Sequence, residues 1–341
     1  MHNATTRKPA LAESLRSMVV PLLLLLLLSP QDLAAQPQGR IAFVSSRAGE
    51  FNKIWVMNAN GSEQTQLTFG SGYETDPSWS PNGLWITYVS NAVPGSQGTH
   101  IAVMDRWGLV SRNLTVDVGA YRHPKFSPDG TQILFSKRVG ETETQLFAVG
   151  IIGGEPRHLP MPLPGTGNDV VSLDQPTWAP DGRSIAFWVW RGRDRGMPND
   201  GNIFRAAPDG QDLQMLTDGV GRNQSPAWSP DGTRVVFSGL RPEGEGVFLI
   251  DAVGGKSRLV TSASEGGASP AWSTDGDWIT YVSSQEGNRD IFIVRPDGTE
   301  KANLTAGITQ ADHSPAWSPK LAPLPTAVPE ISWGQVKSAQ N

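Results

Sequence analysis

An all-β fold built from one repeated four-stranded unit is what this 341-residue sequence predicts, and two observations predict it. The first is a phrase that returns six times: a proline, an aromatic one residue after next, then a tight turn. It reads Asp76-Pro77-Ser78-Trp79-Ser80-Pro81-Asn82-Gly83 at its first appearance and Ser225-Pro226-Ala227-Trp228-Ser229-Pro230-Asp231-Gly232 in mid-chain. The aromatics at 79, 126, 178, 228, 272 and 317 are 47, 52, 50, 44 and 45 residues apart. A fixed period of that size is the signature of propeller blades. The second observation is that the two ends of the repeated region are incomplete in complementary ways. Residues 40–68 supply second, third and fourth strands but no first, whereas 313–318 supply a first strand alone. Joined, they make a sixth blade, closed by pairing 313–318 with 41–46, and closure hides two sheet edges that would otherwise invite aggregation.

Each element follows from local chemistry. Ser-Pro-Asp-Gly sets proline where a type I turn wants its φ, with aspartate next and glycine last. Apolar runs such as Arg234-Val235-Val236-Phe237 and Trp278-Ile279-Thr280-Tyr281 flank the turn, so strand, turn and strand make a hairpin. A third strand follows, as in Asp290-Ile291-Phe292-Ile293-Val294. A second glycine turn comes next, at Asn60-Gly61, Asp209-Gly210 and Asp297-Gly298. The fourth strand ends in Leu-Thr or a near relative: Leu67-Thr68, Leu114-Thr115, Leu159-Pro160, Leu216-Thr217, Val260-Thr261, Leu304-Thr305. Recurrence at one repeat position makes the motif aromatic a plate wedged between blades. A carbohydrate-binding tryptophan is the alternative.

Three regions are expected. Residues 1–35 read as a secretory signal peptide: Arg7, Lys8 and Arg16 precede an apolar stretch from Met18 to Leu28, and Ala34-Ala35 offers a cleavage site. That stretch is shorter than the ~20 residues that span a bilayer, which disfavours a retained anchor. Residues 36–320 are the propeller. Residues 321–341 form a proline-rich tail with Trp333, either a docking anchor for a partner or a side chain that folds back.

Setting 1–35 aside leaves 25 Lys+Arg against 31 Asp+Glu, a net charge of −6, with no basic cluster to hold nucleic acid. There is no cysteine, which excludes disulfides, a thiolate metal site and a cysteine nucleophile. No Gly-x-Ser-x-Gly elbow, His-Glu-x-x-His or P-loop occurs.

The phrase Pro-Ala-Trp-Ser-Pro-Asp-Gly, then Arg-Val-Val-Phe, then the Leu-Thr ending, resembles the WD40-like (PD40) repeats of the TolB propeller family over about residues 40–319. The resemblance implies a periplasmic adaptor of the cell envelope; in that family TolB belongs to the Tol–Pal system and its propeller docks the lipoprotein Pal. TolB carries an α/β domain ahead of its propeller. Here only the predicted signal peptide and a few residues precede the repeats, so contacts made by that domain are not carried over.

Binding is expected where the innermost strands begin, at the mouth of the central channel. The candidate partner-binding residues there are Asp76, Arg122, His123, Asp174, Gln175, Asp312 and His313. The two longest irregular segments, 160–174 and 190–202, border the fourth blade on the same face, and Arg191, Arg193 and Arg195 give that side a positive patch suited to an acidic partner. No catalytic residue and no cofactor are assigned, and a divalent cation among the channel histidines and carboxylates stays open. The leading reading is a monomeric, non-catalytic adaptor engaging an envelope protein. The alternative is a propeller lyase or hydrolase acting on a polysaccharide or peptide fragment.

Overall fold

A computed structural model of the protein describes residues 36–320, apart from 92–97, 118, 142, 164–170, 192–200 and 243. The predicted signal peptide and the tail with Trp333 lie outside the described residues. Six four-stranded antiparallel sheets make up the described chain. The first blade holds β1 (Arg40–Ser45), β2 (Lys53–Asn58) and β3 (Thr65–Gln66). Blade 2 is β4 (Glu74–Trp79), β5 (Trp85–Ser90), β6 (His100–Asp105) and β7 (Ser111–Asn113). Blade 3 is β8 (Tyr121–Phe126), β9 (Gln132–Arg138), β10 (Thr144–Gly150) and β11 (Arg157–His158). Blade 4 is β12 (Val171–Trp178), β13 (Ile185–Arg191), β14 (Asn202–Ala206) and β15 (Gln214–Met215). Blade 5 is β16 (Arg222–Trp228), β17 (Arg234–Arg241), β18 (Gly244–Asp251) and β19 (Arg258–Leu259). Blade 6 is β20 (Ala268–Trp272), β21 (Ile279–Ser283), β22 (Asp290–Val294) and β23 (Ala302–Asn303).

The last strand, β24 (Asp312–Trp317), pairs with β1 and becomes the inner strand of blade 1, with Ile41 opposite Trp317 and Ser45 opposite Asp312. The ring is therefore closed by the two ends of the repeated region, as the sequence predicts. The inner strands β24, β4, β8, β12, β16 and β20 neighbour one another in that order around the channel.

The motif aromatics are interblade plates. Trp79 packs on Ala42, Val44, Ile54, Val56 and Leu67 of the preceding blade, and Trp272 on Val236, Val247, Leu249 and Val260. Phe126 does the same with Val89, Ile101, Val103 and Leu114. The indole N–H groups of Trp79, Trp178, Trp228, Trp272 and Trp317 find no acceptor among the described residues. These rings serve by apolar area, and phenylalanine substitutes in blade 3 without loss of a bond.

The turn serine and acid form one small network. The Ser127, Ser229 and Ser273 hydroxyls donate to Asp129, Asp231 and Asp275, and the same carboxylate oxygens accept the N–H of Thr131, Thr233 and Asp277. The glycine after them takes φ between 67° and 76°, where a side chain is strained. The Leu-Thr ending has two tasks. Its leucine or valine is buried, and the hydroxyls of Thr68, Thr115, Thr217, Thr261 and Thr305 accept the third strand's N–H at 2.9–3.2 Å. In blade 3 Pro160 holds that place.

Candidate functional site

Every inner strand is broken at the same point. The residue before the motif proline sits in the left-handed region: Asp76, His123, Gln175, Ser225, Ser269 and Ser314 have φ between 49° and 54°. Strand pairing slips there, between Thr75 and Ser78 in blade 2 and between Gln224 and Ala227 in blade 5. Proline cannot donate to the ladder, so a bulge absorbs it. Such conformations cost about 1–3 kcal/mol each and concentrate at functional sites. The bulge turns six consecutive blade positions onto one axis, where they ring a cavity of about 190 Å3. Lys125, Thr177, Ala227 and Ala271 line it further along.

Charge is confined to one sector of this ring. His123 Nδ1 lies 2.8 Å from Asp174 Oδ1, and its Nε2 is 3.9 Å from Asp76 Oδ2. Burial alone pulls the His123 pKa down, but the Asp76 and Asp174 carboxylates outweigh it and leave it raised. Asp174 is buried, which pushes its pKa up, yet His123, the Ser136 hydroxyl and the Gln175 N–H at 2.7 Å hold it at about 2. The opposite sector is neutral. The Gln175 side-chain oxygen accepts the Ser225 N–H at 2.7 Å, and the Ser314 hydroxyl donates to Asp76 at 3.3 Å.

Two carboxylates near the mouth are spent on structure. Asp312 is fully buried and bound by the Arg47 guanidinium at 2.6 Å, which itself stacks over Phe43 and Trp55. Asp312, expected among the channel groups, is thus committed to Arg47 and is not among the residues that line the channel cavity. Glu74 is likewise taken by Lys53 at 2.8 Å. His313 stands apart from His123, 3.0 Å from the Ser314 hydroxyl and 3.4 Å from the Asn52 amide, and burial lowers its pKa. The two histidines and three carboxylates therefore do not share one centre. Among the described residues no three His, Asp or Glu side chains gather as a metal-holding set.

The remaining candidates divide. Asp76, His123 and Gln175 line the channel, and Arg122 is exposed at its mouth, where it lines a second pocket. Arg193 and Arg195 lie outside the described residues, as does the Arg191 side chain. The segments 160–174 and 190–202 are less irregular than expected, since Val171–Asp174 pairs with Trp188–Arg191 as an extension of one hairpin. The run Trp188-Val189-Trp190 on the β13 side favours the ladder that far. Sequence reasoning missed the left-handed ring. Its only signal was the recurrence of Asp, His, Gln and Ser, several of them tolerant of that backbone region, before each proline.

A larger recess of about 530 Å3 lies on the same side, between the outer loops of blades 5 and 6, and includes Glu265, Ser283, Arg289 and His313. Ser269 belongs to both this recess and the channel wall.

A family model described as the TolB beta propeller domain matches residues 166–323. The chain is a six-bladed β-propeller that is similar, over that stretch, to the TolB propellers. It is 32% identical over 117 residues to the "Protein TolB homolog" of Chlorobium luteolum, covering 34% of this chain and 26% of that protein. It is 28% identical over 124 residues to the "Uncharacterized peptidase YuxL" of Bacillus subtilis, covering 35% of this chain and 19% of that one. The match thus spans about a quarter or less of these relatives' own lengths. Among solved structures, TolB from Acinetobacter baumannii superposes with a TM-score of 0.68 at 22% identity, over 85% of this chain and 70% of that one. An oligogalacturonate lyase in complex with manganese gives 0.53 at 16% identity, over 77% and 73%. Likeness at these identities is a likeness of fold. No helix among the described residues is long and apolar enough to cross a membrane.

Proposed function

We propose that this protein is a non-catalytic adaptor of the cell envelope, exported to the periplasm or secreted, and that its protein partner sits over the channel mouth. One observation carries the reading. Three acidic groups near the mouth are already bonded inside the protein, in the pairs Asp312–Arg47, Glu74–Lys53 and Asp174–His123, while three arginines on that side are not. Arg122, Arg222 and Arg289 are exposed and make no side-chain hydrogen bond or ion pair with any described residue. A rim of uncommitted guanidinium groups on an acidic chain suits an acidic protein surface. The similarity to TolB proteins and the predicted export segment support the same compartment.

Photo-crosslinkers placed at positions 122 and 222, and as controls at 152 and 253 on the opposite turns, test this in envelope extracts. Discrete protein adducts are expected from the first pair and none from the second. Adducts from the control positions alone would move the partner to the other face. Charge reversal at Arg191, Arg193 and Arg195 is expected to weaken the adducts while leaving the melting temperature unchanged.

A second reading has an observation of its own. The His123–Asp174 pair borders an open cavity, as a general base and its orienting carboxylate would, and the fold is shared with a lyase that binds manganese. Calorimetric titration with Mn2+ separates the two. One tightly held ion, lost in His123→Ala, would favour the enzyme.

A further inference from the structure

The channel is closed on one side and open on the other. Blades 2 and 3 fill their sector with Asp76, His123 and Lys125, whereas blades 5, 6 and 1 present Ser225, Ser269 and Ser314 with Ala227 and Ala271 beyond them. At the position occupied by Lys125, one residue after the motif proline, the other five blades carry Ser78, Thr177, Ala227, Ala271 and Ala316. Lys125 is thus the one charged side chain at this level of the channel. It makes no hydrogen bond or ion pair with any described residue, and Asp76 is the carboxylate that it feels. Burial pulls its ammonium below the ordinary lysine range, and Asp76 opposes this only in part. A lysine needed only to fill space would be replaced by alanine, as three other blades show.

We infer that the neck of the channel is a carboxylate-binding subsite in which the Lys125 ammonium receives the C-terminal carboxylate of an extended peptide. The ligand reaches it along the 530 Å3 recess beside blades 5 and 6, which meets the neck at Ser269, and passes the Arg289 guanidinium on the way. The hydroxyls of Ser225 and Ser269 stand on the open side of the ring to share the carboxylate oxygens. A peptide terminus fits the walls better than a uronic sugar does. Pro77, Pro226, Pro270, Pro315, Ala227 and Ala271 crowd the neck below the polar ring, so a broad pyranose would meet its polar partners only at the ring itself. A slim extended chain passes between these walls, and its last amide groups are left to the ring residues Gln175, Ser225 and Ser269. This deepens the adaptor reading, and it rests on a partner that approaches the mouth.

Protection of Lys125 from amine modification tests the subsite without knowledge of the natural partner. The full chain is treated with trinitrobenzenesulfonate at fixed pH, and modification at each lysine is followed by peptide mass spectrometry. Three probes are compared: N-acetyl-trialanine as the free acid, the same peptide as its C-terminal amide, and digalacturonate. The free acid is expected to slow reaction at Lys125 by at least fivefold and to leave Lys137, Lys256 and Lys301 unchanged. The amide is expected to have no effect. In Lys125→Ala, whose side chain is native to this position in blades 5, 6 and 1, calorimetric binding of the free acid should vanish while the melting temperature holds. Equal protection by acid and amide overturns the proposal, and so does protection by digalacturonate alone. Binding that survives in Lys125→Ala overturns it too. Should Lys125 be insensitive while the crosslinks at 122 and 222 succeed, the adaptor reading stands and the subsite falls. Protection without crosslinks gives the reverse.

Discussion

Asp174 illustrates how much one side chain does at this mouth. It orients His123, accepts from Ser136 and Gln175, and stays ionised although buried. Its stabilising effect is present above the usual carboxylate pKa and is lost as pH falls toward about 2. The contribution of His123, whose pKa is raised, is fully present below the ordinary histidine value and fades as pH rises through the raised one. The pair is therefore worth most between about pH 4 and 6.5. Asp174→Asn should destabilise the protein by about 2 kcal/mol at pH 5.5, on the low side for a buried pair because the His123 side chain is 26% exposed. The gap in melting temperature between wild type and variant should narrow by pH 9. A constant gap would mean that packing, not charge, is what Asp174 supplies.

At the scale of the element, the blade is held by side chains that stand in for missing ladder bonds. The Thr217 hydroxyl accepts the Ile203 N–H at 3.2 Å and donates to Asn202 at 2.9 Å, fixing a two-residue outer strand to its neighbour. Thr217→Val keeps the shape but leaves that buried N–H unpaired. A loss of about 1–2 kcal/mol in denaturant unfolding is expected. The Gly108 and Gly210 turns tie each blade to the one before it. A β-carbon there would come within 2.4 and 2.3 Å of the Leu67 and Pro160 carbonyl oxygens. Much of this level was legible in the sequence, because the period, the turn residues and the Leu-Thr ending are local signals. The strand extension from Val171 and through Arg191 was not, since the irregular composition on either side of it masks the alternation.

For the whole molecule, closure by β24 is the decisive contact. It buries Trp317 against Trp278, Ile291, Ile293 and Leu304 of blade 6 while covering the β1 edge. Removing residues 312–341 should cost more than about 3 kcal/mol, the loss expected for one buried tryptophan alone. The exposed β1 edge should also make the protein prone to association, measurable by light scattering. Supplying residues 312–319 as a separate peptide should restore part of the melting temperature. A truncated chain that melts like the intact one would show that the ring does not depend on this strand.

The sequence by itself determined the blade, its number and the way the ring closes, because a repeat writes the same short-range chemistry six times and incomplete ends have one way to complete each other. It also placed Asp76, His123 and Gln175 at the channel, since each precedes a motif proline. What only the tertiary structure decided is which charges meet. Asp312 and His313 are neighbours in sequence, yet one is buried and bound to Arg47 while the other lines the recess beside Ser314. His123 finds Asp174 51 residues away, across a blade boundary. Lys125 drew no notice in the sequence, where it is one lysine in a variable position. It stands out only once closure sets it against five neutral counterparts around one axis, where burial and the lack of a bonded partner leave its charge uncommitted.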